Sequence, residues 1–196
     1  FLGFPFVPTG SDMDGDGLPD AKERDVGSNS NFWDSDGDGI GDGGEYYGAW
    51  GYFAEDGTMV RYETSPILVD TDLDQISDDD EITKRHSVEL DIYYHTNLTK
   101  SDTDGDLVGD NDELTGRRGY FTNPVVRDTD CDELSDGAEY SVGTNPLEPD
   151  TDSDGCFDGL EIAGRDGYVS DPTKIDSDGD LLDDCAELTG LLKAQN

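Results

Sequence analysis

Residues 12–23 read DMDGDGLPDAKE, with carboxylates at positions 1, 3, 5, 9 and 12 of a twelve-residue window and Gly17 in sixth place. The same frame starts again at Asp34, Asp70, Asp102, Asp128, Asp150 and Asp176, always with Asp at 1, 3, 5 and 9 and Glu at 12. Seven windows of five carboxylates supply 35 of the chain's 49 acidic residues, so the net charge of -37 is largely one patterned motif. A solvated acidic face gives no reason for strict register, nor for dividing short Asp from long Glu by position. Whatever the chain folds into must therefore hold five like charges together seven times over. Ionised carboxylates taken out of water are costly unless an opposite charge accompanies them.

An apolar core cannot meet that cost. Leu, Ile, Val and Phe total 40 of 196 residues, about 20%, the level at which strongly charged chains stay disordered. No apolar run approaches the roughly 18 residues that span a bilayer, so no membrane insertion is expected. The negative charge repels nucleic acid and anionic lipid surfaces unless divalent cations bridge the two, so neither is expected as a partner. The chain begins at Phe1 rather than Met, as after removal of a signal peptide or excision from a longer chain.

A bound cation would both neutralise the carboxylates and replace the missing core. A hard divalent ion of calcium's size takes six to eight oxygens, from side chains at positions 1, 3 and 5, the carbonyl of 7, position 9 directly or through water, and a bidentate Glu at 12. Loop 12–23 offers Asp12, Asp14, Asp16, the Leu18 carbonyl, Asp20 and Glu23; loop 34–45 offers Asp34, Asp36, Asp38, Ile40, Asp42 and Glu45. Loop 70–81 offers Asp70, Asp72, Asp74, Ile76, Asp78 and Glu81, and loop 102–113 offers Asp102, Asp104, Asp106, Val108, Asp110 and Glu113. The last three are 128–139 (Asp128, Asp130, Asp132, Leu134, Asp136, Glu139), 150–161 (Asp150, Asp152, Asp154, Cys156, Asp158, Glu161) and 176–187 (Asp176, Asp178, Asp180, Leu182, Asp184, Glu187). Magnesium keeps its waters and transition metals want His or Cys, so the pattern predicts calcium, about seven ions at one per loop. A second ion per loop on shared carboxylates is compatible with the same residues. Gly17, Gly39 and Gly155 supply the sharp turn at position 6; Gln75, Leu107, Glu133 and Leu181 stand there instead, which predicts loops that are strained, differently folded or weaker. The residues at position 7, six aliphatics and Cys156, are expected to pack inward.

Between windows the chain is short of regular structure. Six windows are preceded, six residues upstream, by Ser28, Thr64, Thr96, Thr122, Thr144 or Ser170, each followed by Asn, Ser or Asp, and four of these leaders continue with Pro. They read as extended lead-ins. One helical turn is expected at positions 9 to 12, ended by Gly. The expected architecture is mostly irregular: an elongated array of seven ion-filled repeats over 12–196 with short helical turns, few strands and no conventional hydrophobic core. Two insertions interrupt it. Residues 46–63 have aromatic arms around Glu55-Asp56-Gly57 and predict a β-hairpin; residues 82–95 predict a short strand pair or a helix. Tyr120 and Tyr168, in the similar linkers GRRGYFTNP and GRDGYVSDP, are expected to pack across neighbouring repeats.

The Asp-x-Asp-x-Asp-Gly-aliphatic-x-Asp windows with Ser/Thr-Asn-Pro leaders resemble thrombospondin type 3 repeats, in particular the cysteine-poor versions of bacterial and archaeal surface proteins. The resemblance covers roughly residues 12 to 190. It implies little regular structure wound around many calcium ions, in extracellular spacers, stalks or adhesive modules. The four missing position-6 glycines, the two insertions and the cysteine pattern depart from the family.

Cys131, Cys156 and Cys185 lie in three consecutive windows, so a disulfide between neighbouring windows is expected in an oxidising compartment, with the pair left open, and their spacing fits no zinc finger. Asn97-Leu98-Thr99 is a glycosylation acceptor sequence. His86 and His95 are isolated, no nucleophile has a readable partner, and the paired carboxylates are absorbed by the loops, so catalysis is not expected. Residues 1–11 form an apolar arm whose three Phe want a partner surface; docking beside a neighbouring subunit's hairpin would give head-to-tail polymers. The expected function is an extracellular or cell-surface calcium-binding structural protein: a spacer, stalk or self-assembling filament subunit. The competing expectations are an adhesin that binds a glycan or surface protein through Tyr46, Tyr47, Trp50, Tyr52 and Phe53, and a calcium buffer.

Overall fold

The computed structural model describes residues 10–53, 58–83, 85–87, 92–164 and 168–190. The apolar arm up to Thr9, the predicted turn at Glu55-Asp56-Gly57 and the tail beyond Gly190 lie outside the described residues. The chain divides into two compact units, one of residues 1–103 with 109–111 and one of 104–108 with 112–196.

Helices begin at position 9 of every window. In order they are α1 (Asp20–Val26), α2 (Asp42–Tyr46), α3 (Asp78–Ile82), α4 (Asp110–Thr115), α5 (Asp136–Val142), α6 (Asp158–Ala163) and α7 (Asp184–Thr189). They start there because the residue at position 8 is extended, as at Pro19, Ser77 and Ser135, and the first turn then carries Asp and Glu against the positive end of the helix. Gly27, Gly143 and Gly190 end three of them in the left-handed conformation. At five to seven residues these helices have too few hydrogen bonds to stand alone.

Both insertions in the first unit are antiparallel strand pairs. β1 (Trp50–Phe53) pairs with β2 (Met59–Tyr62) in the register Trp50↔Tyr62 to Phe53↔Met59, as the aromatic arms predict. The second insertion resolves to strands rather than helix: β3 (Arg85–Ser87) pairs with β4 (Ile92–Tyr94).

The interior inverts the ordinary rule. Among the described residues the buried apolar side chains are Leu18, Ile40, Leu98, Val108, Leu134, Cys156 and Leu188, whereas fifteen Asp and Glu side chains are buried. Charged residues are almost never so buried in a domain held by apolar packing. Position 7 packs inward at Leu18, Ile40, Val108, Leu134 and Cys156, but Ile76 is half-buried and Leu182 is 36% exposed. Leu182 is a correction to the expectation: among the described residues no later loop lies against it.

Successive loops interlock at position 10. A Cβ on Gly43, Gly137 or Gly159 would stand 2.5, 2.1 or 2.4 Å from the carbonyl oxygen of Asp16, Asp106 or Asp132, the position-5 residue of the preceding loop. The same seat sets the disulfide. Gly43 and Gly159 lie against the position-7 amides of Leu18 and Leu134, and where loop 150–161 carries Cys156 at position 7 the next loop carries Cys185 at position 10. These two are bonded, with Cα atoms 5.1 Å apart, while Cys131 at position 4 is free and exposed.

Candidate metal centres

Each window closes on itself through its own carboxylates. The amide of the position-9 Asp donates to the carbonyl just before the window in all seven loops, at 2.8–3.1 Å. In six loops the position-1 Asp accepts from the amides of positions 4 and 6, as Asp70 does from Leu73 at 2.6 Å and Gln75 at 2.8 Å. Both amides face one carboxylate because positions 4 and 6 have positive φ. This holds for Gly15 and Gly17 and equally for Leu73 and Gln75, or Cys131 and Glu133. Gln75, Leu107, Glu133 and Leu181 take the same left-handed backbone as the glycines they replace, with φ of 79–83°. Their loops are strained but not differently folded, which removes that part of the expectation.

Position 5 faces two loops at once. One oxygen takes the amide of its own position 7 at 2.7–2.9 Å in every loop. In four loops the other oxygen takes the position-10 amide of the next loop: Gly43 to Asp16, Gly137 to Asp106, Gly159 to Asp132 and Cys185 to Asp154, at 2.7–2.8 Å.

Two sets of residues brace this frame that the reading of ligands left without a role. Ser or Thr at position 2 (Ser35, Thr71, Thr103, Thr129, Thr151, Ser177) donates amide and hydroxyl to the two oxygens of the position-9 Asp. The same hydroxyl accepts the amide of the second leader residue, from Asn29 to Asp171. Their signal was a hydroxyl residue at position 2 in six of seven windows. The first leader residue reaches back to the preceding Glu: Thr64 to Glu45, Thr122 to Glu113, Thr144 to Glu139 and Ser170 to Glu161, at 2.8–3.3 Å. Position 9 is thus a brace as well as a candidate ligand.

These bonds use some carboxylate oxygens and leave others bare. Among the described residues the buried carboxylate oxygens without a hydrogen-bond partner include Oδ2 of Asp14, Asp36, Asp72, Asp130 and Asp152 at position 3, Oδ2 of Asp38 and Asp74 at position 5, and Oε2 of Glu23, Glu45, Glu81, Glu113, Glu139 and Glu161 at position 12. All six Glu are at most 1% exposed. Carboxylate oxygens of Asp12, Asp14 and Asp16 lie within 4.8 Å of one another, as do those of Asp34, Asp36 and Asp38, and of Asp70, Asp72 and Asp74. Asp38 and Glu45 gather in the same way with Asp78 from the following loop. In the fourth loop Asp102 and Asp110 belong to the first unit, and Asp104, Asp106 and Glu113 to the second.

Burial first and neighbouring Asp charges second push Glu45 and Glu139 up to about 9. Burial first and the Asp72 charge second also raise Glu81 to about 9, and burial raises Glu113 to about 9 and Glu161 to about 8 against a hydroxyl hydrogen bond that lowers both. Asp38 and Asp130 rise to about 7 for the same primary reason. The ion pairs of Arg117 and Arg118 with Asp112 and of Lys174 with Asp171 lie on carboxylates outside the five window positions. Hard anionic oxygens, converging and unpartnered, are the donor set of a hard divalent cation.

His95 Nδ1 lies 3.4 Å from the Glu81 carbonyl, on the backbone of a loop. Asn97 Oδ1 accepts the amide and hydroxyl of Thr99 at 3.2 and 2.9 Å. Tyr46 and Tyr47 meet edge to face at 5.0 Å, with the Lys22 ammonium 5.0 Å from the Tyr46 ring. Comparison with family models, with curated proteins and with solved structures returned no match, so the likeness to thrombospondin type 3 repeats stands on the residues alone.

Proposed function

We propose that this chain is an extracellular structural protein, a spacer, stalk or filament subunit, whose interior is completed by calcium. One observation carries the reading: in five loops a buried Glu at position 12 and an Asp at position 3, each with an unpartnered buried oxygen, lie close enough for the Asp charge to act on the Glu. Positions 1, 3, 5 and 12 would hold the ion, with position 9 steadying the loop beneath it. Bound there, calcium supplies the positive charge that the sparse Lys and Arg do not. The number of protein oxygens favours calcium over the smaller, water-retaining magnesium. A disulfide between Cys156 and Cys185 fits an oxidising compartment, where weak calcium sites are also filled.

Because the apolar core is small, ion binding is expected to be folding energy. Circular dichroism and limited proteolysis with calcium and with excess EGTA test this. Loss of the helical signal and rapid cleavage in EGTA, both restored by calcium and not by magnesium at the same concentration, are expected. Unchanged spectra and protease resistance in EGTA would reject the reading.

A further inference from the structure

The seventh loop departs from the other six at the oxygen that matters most. In loops one to six, Oε2 of the position-12 Glu is buried and unpartnered. In the seventh, the Tyr168 hydroxyl donates to Oε2 of Glu187 and also lies 3.1 Å from Oδ1 of Asp184. Asp178 and Asp180, at positions 3 and 5, are exposed, whereas the other loops keep these positions at least partly buried. The linker is shaped to deliver the tyrosine: Gly164 has φ +70°, and a Cβ there would stand 2.4 Å from the Tyr168 carbonyl, so only glycine lets the chain fold back so tightly.

The sister linker provides an internal control. Tyr120 occupies the corresponding place before the fifth loop, but its ring packs 6.1 Å from Tyr140, whose hydroxyl donates to the Tyr120 carbonyl. The residue equivalent to Tyr140 in the seventh loop is Leu188, which is buried and offers no hydroxyl. Tyr168 turns instead toward the carboxylates.

We propose that the Tyr168 hydroxyl is a displaceable plug of the seventh loop, holding the Glu187 oxygen that the other loops leave free for the cation. This rests on the calcium reading above. The seventh loop then fills last and weakest, because ion entry must break a charge-assisted hydrogen bond on Oε2, where the leader hydroxyls of the other loops bond only Oε1.

The test is a calorimetric calcium titration of the full chain as wild type, Tyr168→Phe and Tyr168→Phe with Glu187→Gln. The weakest class of sites in the wild type is expected to tighten roughly tenfold in Tyr168→Phe, the size of a charged hydrogen bond, and to vanish in the double variant, which assigns it to this loop. In the wild type, a tyrosine ultraviolet difference signal should accompany the last ions bound and be absent in Glu187→Gln, a readout that needs no folded Tyr168→Phe. Unchanged or weaker binding in Tyr168→Phe, or a last binding step silent in tyrosine absorbance, overturns the plug while leaving the calcium reading intact. A wild type that binds no calcium overturns both.

Discussion

At Leu181 the chain accepts two costs at one residue. Its φ is +79°, which a branched side chain disfavours by about 1–2 kcal/mol, and the side chain is 91% exposed, so no packing offsets the strain. The conformation is kept because it turns the Leu181 amide onto Asp176, at 2.9 Å. Leu181→Gly preserves that bond and removes the strain. Glycine's greater freedom in the unfolded chain returns about 0.5–1 kcal/mol of the gain, so a net stabilisation of about 0.5–1 kcal/mol is expected from the denaturant midpoint of the calcium-saturated protein. A lowered midpoint would mean that Leu181 makes a contact the exposed geometry does not show. This residue also marks a boundary of sequence reading. A missing position-6 glycine suggested an altered loop, yet the cost of a non-glycine residue is small beside two amide–carboxylate bonds. Positive φ at position 4, shared by Gly15, Leu73 and Cys131, went unread because only four of the seven residues there are Gly.

At the scale of elements, four of the short helices, α2, α5, α6 and α7, are each held through their second residue by the loop before them. The α6 amide of Gly159 donates to Asp132 at 2.8 Å, and the missing Cβ lets the helix approach the Asp132 carbonyl. Two effects compete in Gly159→Ala. Helix propensity favours Ala by about 1 kcal/mol; a Cβ 2.4 Å from a backbone oxygen forces the loops apart, and overpacking of this kind costs about 1–3 kcal/mol. The clash should win. Thermal melting in calcium is expected to show a lower midpoint for Gly159→Ala, and an equal or higher midpoint would refute the interlock. Helix starts at position 9 and the aromatic hairpin were legible because both are local: spacing, an extended position 8 and alternating arms suffice. The interlock was not, because it joins residues 27 or 31 positions apart and Gly recurs at position 10 in only three windows. The position-2 hydroxyls were visible as a pattern, but a reading that assigned every carboxylate to an ion left nothing for them to bind.

For the molecule as a whole, the charge of -37 said that carboxylates must be neutralised, without saying which oxygens are free to receive a partner. Among the described residues the buried unpartnered carboxylate oxygens lie at positions 3 and 12, and at position 5 in Asp38 and Asp74, and the burial of the position-12 glutamates fixes how a calcium-free chain should respond to pH. Glu45, Glu81, Glu113 and Glu139 have folded-state values raised from 4.5 to about 9. A carboxyl raised in this way contributes stability that is fully present below its unfolded value and lost as pH rises through the folded one. Keeping one such group protonated or buried at pH 7 costs roughly 3 kcal/mol, and four of them together consume the roughly 5–15 kcal/mol that holds a typical domain together. At pH 5 the same cost falls below about 1 kcal/mol each, while the chain is still above its isoelectric point of about 4.1 and remains anionic. In EGTA the protein should therefore be unfolded by circular dichroism at pH 7.5 and regain helical signal as the pH is lowered to 5. With saturating calcium the order reverses, because coordination requires the ionised Glu and protons compete for it. A chelated chain whose spectrum is the same at both values would show that these glutamates do not govern the fold, whatever else occupies the space between them.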